Sequence, residues 1–143
     1  MFGVLRYLWA APCTLVGCVA AAPMLLCGAQ VRGVRGVIEI SGGAFAQWLA
    51  FDAITLGHVV LARTPRAMRR WRRHERVHVR QCERWGPAFF AAYLLAGAWQ
   101  WLRGRRAYWD NPFEVEAFRA GGCVSTATAG DSSPGAGSSR SSA

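Results

Sequence analysis

Three side chains in this sequence have the types and the spacing to do hydrolytic chemistry together: His74, Glu75 and His78, in the run His74-Glu75-Arg76-Val77-His78. On an α-helix, residues four apart lie on one face, so both imidazoles can aim a ring nitrogen at one cation while Glu75 is offset toward a water bound to it. The cation that suits such a pair is Zn2+. It lowers the pKa of a bound water toward neutrality, and the adjacent glutamate takes that water's proton during attack on a carbonyl and passes it to the leaving amine. The chain has only three histidines, and two of them stand at the required spacing. The competing reading is a solvated arginine-rich helical face on which Glu75 pairs with Arg72 or Arg76.

A catalytic zinc site needs a third protein ligand and leaves its fourth position to water. His58, the remaining histidine, lies in a strand-like run and reads as a half-buried or surface side chain. Glu114 and Glu116 are the better candidates. Asn111 followed by Glu114 also makes a helix-capping arrangement that needs no metal, in which case Glu116 would turn toward the histidines instead. Three further residues bear on the site. Gln81 shares the helical face of His74 and His78 and can orient an imidazole through its second ring nitrogen. Tyr108 can stabilise an oxyanion, and Cys82 reads as a small core residue.

The His-Glu-x-x-His run, Gln81, an intervening apolar helix and Tyr108-Trp109-Asp110-Asn111-Pro112-Phe113-Glu114-Val115-Glu116-Ala117 together resemble a small gluzincin-type zinc metallopeptidase, the minimal bacterial kind without an assigned substrate. The resemblance spans the chain from Ile54 to Ala120. It implies zinc held by His74, His78 and Glu114, Glu75 as the general base, and a peptide or protein as substrate. Four residues after the ligand glutamate, where larger gluzincins place an aspartate, this chain has Phe118.

The elements that must position these residues follow from local signals. Gly36–Ile40 and Ala53–Leu61 are rich in β-branched residues and predict two or three strands, and the second run, over Leu56–Ala62, offers a sheet edge to an extended peptide. Thr64-Pro65 has the form of an N-cap followed by proline at the first helical position. It opens a helix from Pro65 to Trp85 that Gly86-Pro87 ends. A second helix over Ala88–Leu102 is apolar apart from Tyr93 and Gln100, and a third begins after Asn111-Pro112. The expected fold is α+β and zincin-like: a short sheet, the active-site helix, an apolar helix and a glutamate helix, preceded by an N-terminal apolar helix.

Val4 to Leu26 is almost wholly apolar and long enough to cross a bilayer as a helix. As an anchor it places the protein at the bacterial inner membrane, with the excess of arginine after it putting the domain in the cytoplasm. As a cleaved signal it exports the domain, and Leu15-Val16-Gly17-Cys18 has the form of a lipobox. The division is therefore an anchor or signal over 1–31, a metallopeptidase-like domain over 32–120 and a disordered Ser/Gly/Ala-rich tail over 121–143.

The net charge is +9 and every basic residue is arginine. Eight arginines lie between Arg63 and Arg80, so the charge is local. Nucleic acid is not an expected partner, although an arginine-rich binder of nucleic acid or anionic lipid is the third-ranked reading. A noncatalytic membrane-tethered module of the same fold ranks second. The five cysteines show no CxxC pair and no regular spacing, which argues against a disulfide framework and a thiolate zinc site.

Overall fold

The computed structural model describes residues 2–121, so the expected disordered tail lies, from residue 122 on, outside the described residues. The elements are α1 (Phe2–Trp9), α2 (Ala11–Leu26), β1 (Gln30–Val34), β2 (Val37–Ser41), β3 (Ala53–Leu56), β4 (Val59–Ala62), α3 (Pro65–Trp85), α4 (Phe89–Leu102) and α5 (Pro112–Gly121). The chain is α+β, with a mixed four-stranded sheet in the order β1-β2-β4-β3.

All four residues of β4 are buried and apolar, as expected of a strand covered on both faces. Side chains alternate along a strand, so Val59 and Leu61 face one way and pack with Ala21 and Met24 of α2 and Ile40 of β2. Val60 and Ala62 face the other way and pack with Val37 of β2 and Met68 and Val79 of α3. The sheet is thus a middle layer, with α2 on one side and α3 on the other. Gly17 lets α2 come this close: a Cβ there would lie 2.6 Å from the Leu56 carbonyl oxygen and 2.8 Å from Val59 Cβ.

Three expectations need correction. The sheet has four strands, and β1 is the addition. It pairs antiparallel with β2 around Arg35 and Gly36, both at positive φ (49° and 78°), the two-residue turn whose twist suits a hairpin. The strand over Leu56–Ala62 is not a sheet edge: β4 pairs parallel with β2 and antiparallel with β3, and the edge is β3. The N-terminal apolar stretch is not one continuous helix. It divides at Ala10, where Pro12 in the first turn of α2 has no amide proton to donate to α1. Among the described residues no helix is long and apolar enough to cross a membrane.

α3 forms where its signals put it. The Thr64 hydroxyl accepts from the Ala67 amide at 3.0 Å, Pro65 takes the first turn, and Gly86 at φ 55° closes the helix. A half-buried bidentate pair fixes its rotation over the sheet, with Arg72 donating to both oxygens of the buried Glu39 on β2 at 2.8 and 2.7 Å. That rotation turns His74, Glu75 and His78 inward, and all three are buried. α5 then packs along α3.

Candidate metal centre

His74 and His78 lie one turn apart on the inward face of α3, and their Nε2 atoms approach to 3.1 Å. Glu114, in the first turn of α5, faces both, with Oε2 3.2 Å from His74 Nε2 and Oε1 3.4 Å from His78 Nε2. The three form a compact, fully buried cluster of potential metal ligands. A tetrahedral ion with bonds of about 2.0–2.1 Å sets its ligand atoms about 3.3 Å apart, close to the spacings seen here. Glu114 Oε2 is buried without a hydrogen-bond donor, since its approach to His74 lacks hydrogen-bond geometry. The donor set therefore fits a divalent cation, and its two imidazoles and one carboxylate suit zinc.

Gln81 orients His78. Its Nε2 donates to the Phe113 carbonyl oxygen at 3.1 Å and to Glu116 Oε2 at 2.8 Å, so Oε1 is the atom facing His78 Nδ1 at 2.8 Å. His78 Nδ1 therefore carries the proton in that contact, and neutral His78 presents a bare Nε2 to the cluster. Glu116, the alternative ligand, is committed to Gln81 and lies 3.9 Å from Arg84, away from the histidines. Glu114 does not cap its helix. Asn111 does so alone, with Oδ1 accepting from the Phe113 amide at 3.1 Å, which leaves the glutamate to face the imidazoles.

His74 is supported differently. Its Nδ1 is buried without a partner, and the Phe118 ring packs against the imidazole with centroids 4.6 Å apart. Among the described residues no carboxylate meets this ring nitrogen.

Glu75 is held at the cluster's edge by β3, where the Thr55 hydroxyl donates to Oε2 at 2.8 Å. Burial raises the Glu75 pKa above the usual carboxylate range, against the lowering influence of both histidines and Thr55. Burial would also raise that of Glu114, but His74, His78 and the Tyr93 hydroxyl outweigh it and hold Glu114 far below that range. For His78, burial disfavours the charged form, yet Glu114, Glu75 and Gln81 together leave its pKa above the ordinary imidazole value.

Sequence reasoning missed two contributors. Tyr93 of α4 donates to Glu114 Oε1 at 2.6 Å, so the apolar helix supplies the hydroxyl that fixes this carboxylate. Its one signal was a polar atom in an otherwise apolar helix. Thr55 read only as a strand former. Tyr108 lines the same cavity, with burial and then the Glu114 charge raising its pKa, so at neutral pH it is a protonated donor. The structure places His58 elsewhere, in the tight turn between β3 and β4. It is buried there between Thr14, at 3.2 Å from Nδ1, and Glu83, at 3.2 Å from Nε2, under the stacked Tyr7 ring. Cys82 is fully buried in the core.

The cluster opens into a cavity of about 670 Å³ walled by the β3 edge strand, α2, α4 and Trp71, Trp109 and Phe118. Apart from the site residues and Asp52, its lining is almost entirely apolar or aromatic. Comparison with family models, curated proteins and solved structures gives no match.

Proposed function

We propose that the protein is a zinc-dependent hydrolase of zincin-like fold that cleaves peptide bonds. The observation that carries the proposal is the convergence of His74, His78 and Glu114 on one buried point, with Glu75 alongside and a cavity open to it. Zinc held there would supply a Lewis acid for water and the scissile carbonyl. His74 and His78 would hold the ion through Nε2 as neutral imidazoles, and Glu114, whose pKa is lowered, would hold it as a carboxylate. Glu75, steadied through Oε2 by Thr55, accepts a proton at Oε1 and returns it to the departing amine. The Tyr108 hydroxyl lines the cavity as a donor for the oxyanion. The free side of β3 offers main-chain partners to an extended substrate.

Metal analysis and one substitution test this. The wild-type protein should carry about one zinc, and His74→Ala or Glu114→Ala should lose it. Glu75→Gln should keep the zinc and lose hydrolysis of apolar peptides by on the order of 10²–10⁴-fold. A wild type that binds no zinc ends the proposal. The unpartnered His74 Nδ1 beside Phe118 favours a second reading, a metal-holding module without catalysis. Zinc in both proteins with no peptide hydrolysis by either would select it.

A further inference from the structure

The outward face of α4 is apolar where a surface helix is normally polar. Leu94, Leu95, Ala98, Trp101 and Leu102 follow one another at helical spacing and are all exposed, and α4 contains no charged residue. α2 repeats the pattern with Leu15, Val19, Ala22 and Leu26. The two helices meet at the cavity, which is lined by Val16 of α2, next to that stripe (49% exposed), and Leu94 of α4 (68% exposed). Exposed apolar surface of this extent marks a binding face.

Charge identifies what covers the face. Directly after the α4 stripe come Arg103, Arg105 and Arg106, all exposed, and the Arg103 guanidinium lies over the Trp99 ring at 5.5 Å. Trp99, Trp101 and Trp109 are exposed beside them. An apolar stripe ending in tryptophans and then cations matches the gradient from acyl chain to anionic headgroup. A second copy of the chain packed through α4 would match the apolar stripe but bring no acidic side chain of that helix to these arginines.

We propose that α4 is a monotopic membrane-docking helix. It lies in the interface of an anionic bilayer with Leu95, Trp101 and Leu102 in the acyl boundary and Arg103 and Arg105 among the headgroups, so that the mouth of the metal cavity opens at the lipid surface. This docking does not depend on the metal chemistry. It adds to any attachment through α1 and α2 a second contact that sets the orientation of the cavity.

The test is flotation of the full-length protein with vesicles of phosphatidylcholine alone and of phosphatidylcholine with phosphatidylglycerol. Binding should favour the anionic vesicles and weaken with salt. Leu95→Ser/Trp101→Ser/Leu102→Ser should reduce binding at least tenfold. Arg103→Gln/Arg105→Gln, which alters only exposed side chains and so keeps the test valid if the first variant misfolds, should reduce anionic-vesicle affinity about 25-fold, from roughly fivefold per arginine. Wild-type-like binding by the arginine variant overturns the proposal. So does a lipid-free dimer that the triple substitution dissociates, because the face would then be covered by a second copy.

Discussion

Replacing Gln81 by Met removes the group that ties α3 to α5 while keeping side-chain volume, so no cavity forms. Gln81 is 1% exposed, and it accepts from His78 Nδ1 at 2.8 Å while donating to the Phe113 carbonyl oxygen at 3.1 Å. Without it the Nδ1 proton has no acceptor, at a cost of about 1–3 kcal/mol to the fold. Its third partner, Glu116, is exposed and refills with water. Losing the group that orients a ligating histidine weakens metal binding by about 10–100-fold, or roughly 1.4–2.7 kcal/mol. Zinc affinity, measured by competition with a chromophoric chelator at neutral pH, should fall by that factor in Gln81→Met. The melting temperature of the metal-free protein should fall as well. Gln81→Glu separates the two effects: it keeps an acceptor for His78 but loses the donor to Phe113 and repels Glu116, so zinc affinity should persist while the fold weakens. Zinc binding by Gln81→Met within twofold of wild type would refute the orienting role.

Thr55→Val removes the hydroxyl that donates to Glu75 and leaves His74, His78 and Glu114 untouched. Peptide hydrolysis should fall about 10–100-fold at unchanged zinc content, and loss of zinc would show the contact to be structural. The metal-free protein should have its own pH profile. The raised pKa values of His78 and Glu75 stabilise the fold fully only below their unfolded values, about 6.5 and 4.3, and that contribution is lost as pH rises through the folded ones. The lowered pKa of Glu114 contributes only above about 4.3 and is lost as pH falls. Chelator-treated protein should therefore melt lower as pH climbs past about 6.5 while zinc affinity increases, and a rising melting temperature would contradict the cluster's electrostatics. Cys13 and Cys82 are buried, with burial raising the first thiol's pKa and pushing the second up to about 12. Both should resist a thiol reagent at neutral pH until denaturant is added, and native labelling at the rate of exposed Cys18 and Cys27 would count against this packing.

The parts legible in the sequence are those specified locally. α3 runs from Pro65 to Trp85 as expected, because Thr64, Pro65 and Gly86 each carry out their capping roles within a few residues. The spacing of His74 and His78 likewise put both on one helical face. β1 was illegible because Gln30–Val34 includes an arginine and a glycine and is largely exposed, so pairing with β2 alone makes it a strand. The choice between Glu114 and Glu116 depended on the rotation of α5, which Gln81 and Asn111 set from other elements. Tyr93 was passed over for a related reason: a hydroxyl in an apolar helix has no visible role until the carboxylate it meets, far along the chain, is in place.

His78 and Glu114 are 36 positions apart, so the candidate ligand set closes a large ring of chain that contains all of α4. A bound ion would be a reversible cross-link across that ring, present in the folded chain and absent from the unfolded one. By mass action, free metal at about a hundred times its dissociation constant would add roughly 2.7 kcal/mol to stability. For a small domain that is a large share of the total, so the folded population, and with it resistance to proteolysis, would track the metal supply of the compartment.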